Sequence, residues 1–130
     1  MIRIRLTHDD EGRWLGFDAS GHARTAPHGH DIVCAAVSAL LQSTLLGLTE
    51  VVGADVSASK RSGRLTCLLS DASAGAEGPR VLLETLRLSL RQIVAQYPTF
   101  VSVEEKRRQS RSGGRAVRAS KKRGPGARAV

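Results

Sequence analysis

The sequence predicts an α+β domain in which two helices pack on a mainly antiparallel or mixed sheet, in the order strand, strand, helix, strand, strand, helix, strand. Three observations carry this expectation. Short stretches that alternate apolar and polar residues come in pairs joined by turn residues, two longer stretches have helical spacing, and the alternation of pairs with helices suits helices laid on a sheet. A chain of 130 residues has room for one domain with its own core. No repeat of solenoid period divides it.

Ile2, Ile4 and Leu6 alternate with Arg3, Arg5 and Thr7, the two-residue period of a half-buried strand. His8-Asp9-Asp10-Glu11-Gly12 is turn chemistry, and residues 13–19, with Trp14 and Phe17, form an extended partner, so the start reads as a hairpin. Gly21 to His30 loses all periodicity and holds Gly21, Pro27 and Gly29, which marks a loop. Asp31 is a candidate N-cap for a helix from Ile32 to about Val52, rich in alanine and leucine, apolar around most of its circumference and therefore expected to be largely buried. Gly53 suits its stop. Residues 55–59 and 64–70 flank Lys60-Arg61-Ser62-Gly63 as a second hairpin, and residues 71–78 read as a small-residue loop. Pro79 fits a first helical turn, after which Val81, Leu82, Leu86, Leu90, Ile93 and Val94 keep helical spacing. Pro98 ends that helix, and residues 99–103 make a last strand.

The formal net charge of +8 suggests a nucleic-acid binder until it is divided by position. Residues 1–105 hold 10 Lys+Arg against 12 Asp+Glu, a balance of −2, whereas residues 106–130 hold the other 10 basic residues and no acid. The expected organisation is a domain over residues 1–105 followed by a basic tail, 106–130, whose composition cannot offset chain entropy and is expected to be disordered when unbound. The N-terminus alternates charged and apolar residues and so lacks a secretory h-region. The longest apolar stretch is interrupted by Ser38 and by Gln42-Ser43-Thr44, which makes it a poor bilayer span. A cytoplasmic protein without a membrane segment is therefore expected. In that compartment Cys34 and Cys67 are separate thiols, not a disulfide framework.

Chemistry concentrates in Gly21-His22-Ala23-Arg24-Thr25-Ala26-Pro27-His28-Gly29-His30-Asp31-Ile32-Val33-Cys34-Ala35-Ala36-Val37-Ser38. With Asp31 as cap, Cys34 falls at the third helical position, among unpaired amides and at the positive end of the dipole. Helix starts of this kind favour the thiolate, the reactive form of cysteine, and the same amides can donate to a tetrahedral oxyanion. His22, at the near lip of the loop, can fold back beside the sulfur as general base and then protonate the leaving amine. An apolar helix is also a natural place for a buried, inert cysteine. A zinc site from His22, His28, His30 and Cys34 is a further option, although the spacing matches no standard finger; no metal or other cofactor is expected. Asp31 reads first as a cap and secondarily as a group orienting His22, and Ser38, one turn beyond Cys34, as a packing residue or a hydroxyl supporting the site. His28 and His30 read as solvated loop residues. Cys67, alternating with Leu65 and Leu69, reads as core.

These residues closely resemble the ribosomal-processing cysteine protease family, Prp: Gly21-His22-Ala23, then Gly29, then an unbroken Asp31-Ile32-Val33-Cys34-Ala35-Ala36-Val37-Ser38. The strand and helix order and Tyr97-Pro98 extend the likeness over roughly residues 1–105. The resemblance implies a cysteine endopeptidase whose dyad is Cys34 and His22, with Gly21, Asp31 and Ser38 at its other characteristic positions. It implies as substrate the N-terminal extension of large-subunit ribosomal protein L twenty-seven, a homodimer, and a mobile loop, here Ala23, Arg24, Thr25, Ala26, Pro27, His28, Gly29 and His30, that admits the peptide. Gly21 and Gly29 would give that loop backbone freedom at both ends. The tail has no counterpart in the family. It could make weak RNA or ribosome contacts through counterion release, without aromatic residues for base stacking, or merely solubilise. The competing function is a noncatalytic ribosome-associated or RNA-binding module, which has no need to pair His22 with Cys34.

Overall fold

A computed structural model describes residues 1–21 and 30–108, with residues 30 and 31 by their backbone alone. Strand β1 (Ile2–His8) buries Ile2, Ile4 and Leu6 and turns Arg3 and Arg5 to solvent, as its alternation requires. Its turn is held by Asp9, whose Oδ1 accepts from the amides of Glu11 and Arg13, both at 2.9 Å. This is the local carboxylate-to-backbone bonding that favours aspartate in turns. Strand β2 (Trp14–Ser20) returns antiparallel, pairing Arg3 with Ser20 and Leu6 with Phe17.

Strands β3 (Val56–Arg61) and β4 (Arg64–Leu69) form the second hairpin about a two-residue turn in which Gly63 has φ 73°. A left-handed residue there suits a two-residue hairpin turn. Strand β5 (Val101–Arg107) lies parallel to β1. The sheet is mixed, in the order β3-β4-β2-β1-β5. The second hairpin thus docks on β2 through β4, and β5 closes the other side. β5 starts two residues later than expected and runs through Lys106 and Arg107, which pair with Thr7 and His8, so the sheet extends two residues past position 105. Residues 109–130, nearly all of the basic tail, lie outside the described residues.

Helix α1 (His30–Leu46) continues as one wider turn, Gly47–Val51, closed by the Val52 amide donating to the Gly47 carbonyl at 2.9 Å. The short helix α2 (Asp71–Ala74), capped by the Ser70 hydroxyl accepting from the Ser73 amide, occupies part of the expected loop. Helix α3 spans Glu77–Gln96. Both long helices contribute to one core with the inward side chains of the sheet: Val33, Val37, Leu41 and Leu48 from α1 and its extension, and Leu83, Leu86 and Leu90 from α3. The buried phase of α3 includes Pro79 and Leu83, whereas Val81, expected on that face, is exposed.

The expectation that α1 would be largely buried is corrected. Only the stripe at three- and four-residue spacing is inside; Ile32 is 72% and Val51 80% exposed. One side of a helix suffices to cover a sheet. Residues Ile32–Val51 are long and apolar enough to cross a membrane, with mean hydropathy 1.8, and here their buried stripe serves the protein core. On α3, Glu84 accepts from the Trp14 indole at 2.8 Å and pairs with Arg87, which also reaches Glu105 on β5 at 3.3 Å. The Arg87 and Trp14 bonds hold the Glu84 carboxyl below its ordinary range.

Candidate functional site

Cys34 lies half-buried on α1, packed against the edge of the core. His30 and Asp31 are both helical. Asp31 accordingly lies within the helix instead of at its N-cap, and Cys34 lies deeper than its third position. His30, expected in the gating loop, is helical. Side chains on a helix lean toward its N-terminus, so the thiol of Cys34 is directed toward that end.

Beside Cys34 opens a cleft of about 210 Å³. One wall is α1, which presents Cys34, Ser38 and Gln42 in a row at four-residue spacing, with Val37 and Leu41 beneath. The floor is Ile2, Ala19 and Leu65. The remaining wall is the end of β2 with the β3–β4 hairpin: Ser20, Gly21, Lys60, Arg61, Gly63 and Arg64. Ser38 is therefore a cleft residue and exposed, not packing. Its place one turn from Cys34 agrees with the sequence expectation.

Gly21 is fixed more tightly than backbone freedom alone implies. Its φ is 101°, a Cβ there would run into the Met1 carbonyl oxygen, and its amide donates to the Gly63 carbonyl at 3.0 Å. A side chain would meet both the conformational penalty and the contact. The residue before His22 is thereby tied to the hairpin that forms the cleft wall. His22, Ala23, Arg24, Thr25, Ala26, Pro27, His28 and Gly29 lie outside the described residues, as do the side chains of His30 and Asp31. The zinc set contributes only Cys34 to what is described, and among the described residues no group of three or more His, Cys, Asp or Glu could hold a metal ion.

Cys67 takes no part in the cleft. It faces Phe17 on β2 and Ala58 on β3, is 3% exposed, and burial pushes its thiol up to about 12. The two thiols therefore differ in access: in the native protein iodoacetamide at pH 8 should label Cys34 and spare Cys67, giving one adduct by intact mass. Labelling of Cys67 at a comparable rate would contradict its placement in the core.

Gln42, Lys60, Arg61 and Arg64 were not marked by the sequence. Gln42 had a signal, being four residues beyond Ser38. The three cations had none, because only the pairing of β4 with β2 brings a hairpin some thirty residues downstream to Cys34.

Comparison with known proteins agrees with this fold. The family model described as cysteine protease Prp matches residues 1–102. A ribosomal processing cysteine protease Prp of Staphylococcus aureus is 31% identical over 100 residues, covering 75% of this chain and 92% of the relative. The crystal structure of the S. aureus protease Prp in complex with a substrate peptide superposes with a TM-score of 0.74 at 25% identity, over 82% of this chain and 100% of that one. The same protease with a covalently linked product peptide gives 0.73 at 26% identity, with the same coverage. SMU.848 from Streptococcus mutans gives 0.76 at 26% identity, over 83% of this chain and 99% of that one.

Proposed function

We propose that this chain, which belongs to the cysteine protease Prp family, removes the N-terminal extension of large-subunit ribosomal protein L twenty-seven, with Cys34 as nucleophile and His22 as its base. That it is a cysteine protease follows from the family. The choice of residues rests on one observation above the others: Cys34 is the thiol that opens on the cleft, while Cys67 is enclosed in the core.

The chemistry runs as acyl transfer. His22 accepts the thiol proton, and the Cys34 thiolate attacks the scissile carbonyl. Helix-start amides, those of residues 30–32 among them, are suited to donate to the oxyanion. Collapse of the tetrahedral adduct breaks the C–N bond, and imidazolium gives its proton to the departing amine. Water, activated by the same imidazole, then hydrolyses the thioester. The S. aureus protease with a covalently linked product peptide supports a covalent route.

Support for the second partner is adjacency in sequence: His22 directly follows Gly21, which lines the cleft and whose amide is bonded to the Gly63 carbonyl. Incubation with a peptide spanning the extension junction tests the pair. His22→Ala should lower kcat/KM by about 10²–10⁴, and cleavage at the unmutated rate would remove His22 from the mechanism.

The same reading carries a cytoplasmic location and a homodimer, the latter supported by the exposed Ile32 and Leu46 on α1 and Val51 on the turn that continues it. The first residues of the basic tail stay beside β1, the Arg108 amide donating to the His8 carbonyl at 2.8 Å, and the tail is proposed to make weak contact with RNA or the ribosome.

A further inference from the structure

Helices α1 and α3 pack on one face of the sheet and leave the other to solvent, and strand register settles which residues that open face carries. Arg3 and Arg5 of β1 stand on it, aligned with Ser102 and Glu104 of β5 and with Ser20 and Asp18 of β2. The same rows continue through Arg64 and Thr66 of β4 to Arg61 and Ser59 of β3. Glu105, by contrast, is aligned with the buried Leu6 and is reached from α3 by Arg87 and Arg91. The helices therefore lie on the side opposite Arg5 and Glu104.

Five bases, Arg3, Arg5, Arg61, Arg64 and Lys106, share the open face with two acids, Asp18 and Glu104. The rest of residues 1–105 holds six bases against ten acids. A positive face thus stands on an otherwise acidic domain. Arg64 is engaged by Asp18 at 2.8 Å, and Arg5 reaches Glu104 at 3.5 Å in a pair exposed on both sides and correspondingly weak. Arg3 and Arg61 hold no carboxylate among the described residues. Hydroxyls of Ser20, Ser59 and Thr66 stand between the cations, and no aromatic residue lies on these rows.

We propose that this open face, centred on Arg3 and Arg5, is a docking surface for the phosphate backbone of RNA. The partner follows from the ribosomal-processing reading above, on which the assignment rests, because RNA is the polyanion beside which such a protease works. A second copy of this chain presents a face of the same sign, and the basic tail carries that sign too, so neither is the occupant. Arg3 and Arg5 are two residues apart on one strand, about 7 Å, and neighbouring strands stand about 5 Å apart. Such an array meets successive phosphates, with the hydroxyls as further partners. Without rings for base stacking, the contact is independent of sequence and sensitive to salt. Strand β5 adds Lys106 to the face and is followed in sequence by residues 109–130, which hold seven more bases and no acid. The cleft floor of Ile2, Ala19 and Leu65 belongs to the helix side of the sheet, so RNA on the open face leaves Cys34 accessible to a peptide.

Binding to RNA is read by fluorescence anisotropy, with full-length protein titrated into a labelled oligouridine of about twelve nucleotides over a salt series. Arg3→Gln with Arg5→Gln should weaken binding about tenfold at about 50 mM salt and lower the slope of log K against log salt by about 1.4, the value for two phosphates of a single strand. Arg80→Gln with Arg91→Gln removes the same charge from exposed positions of α3 and should leave the slope unchanged. Arg3→Lys with Arg5→Lys should restore the slope, which separates charge from folding. A slope unchanged in the Arg3 and Arg5 glutamine variant assigns RNA to the tail alone and overturns the proposal. Equal losses in the β1 and α3 variants reduce the effect to net charge and also refute it. Displacement of the RNA by an equal concentration of a glutamate-rich peptide of matched charge gives the face to an acidic protein instead. Cleavage of the junction peptide by the unmutated protein tests the protease reading separately: RNA bound at this face without cleavage refutes that reading and leaves the surface standing.

Discussion

Cys34→Ala should abolish peptide cleavage, lowering kcat/KM by at least about 10³-fold, and should leave the fold in place. Removal of a covalent nucleophile costs this much because binding and oxyanion contacts alone retain only a small part of the acceleration. The thiol is half-buried at the edge of the core, so deleting one sulfur changes little packing and stability should move by less than about 1 kcal/mol. Thermal melting beside the peptide assay separates the two effects. A large drop in melting temperature would mean that Cys34 is structural, and retained cleavage would remove it from the site.

The second large effect belongs to the core. Leu90 on α3 is completely enclosed and joins the inward side chains of the sheet and of α1 in one cluster. Leu90→Ala should destabilise the domain by about 3 kcal/mol, within the usual range for a large-to-small change in a core. For a domain near a hundred residues this lowers the melting temperature by more than about 10 °C. Chemical denaturation gives the free energy directly, and a loss below about 1 kcal/mol would place Leu90 outside the core. Val81→Ala is the internal control: its side chain, counted with Leu90 in the apolar repeat of the sequence, is 45% exposed and should change stability by no more than about 0.5 kcal/mol.

These contrasts show what local pattern can and cannot carry. The alternation of Ile2, Ile4 and Leu6 and the turn at Asp9 were legible because strand period and turn chemistry are properties of adjacent residues. The start of α1 was misplaced because Asp31 has the chemistry of a cap but also tolerates the first helical turn, where an acidic side chain suits the dipole. With His30 and Asp31 already helical, Cys34 lies deeper in the helix than a cap at Asp31 would place it, and no change in composition marks this. Apolar residues around all of α1 suggested burial on every side, yet the sheet can cover only one stripe, so Ile32 and Val51 remain outside.

Cys34 and Ser38 were legible as neighbours on one face because they lie one helical turn apart in a distinctive motif, and both line the cleft. The opposing wall was not. Lys60 and Arg61 look like ordinary hairpin residues in sequence, and only the pairing of β4 with β2, together with the bond from Gly21 to Gly63, sets them beside Cys34. Gly21 was expected to lend freedom to a loop. Its close approach to Met1 shows instead a position at which only glycine fits.

The central claim is that Cys34 carries the acyl group. Its most direct test is to mix the protein with the junction peptide, quench in acid within the first turnover, and locate any added mass by peptide mapping. A thioester adduct of the N-terminal product on the fragment containing Cys34, absent from Cys34→Ala, is the predicted result. An adduct on Cys67, or full cleavage activity in Cys34→Ala, would contradict it.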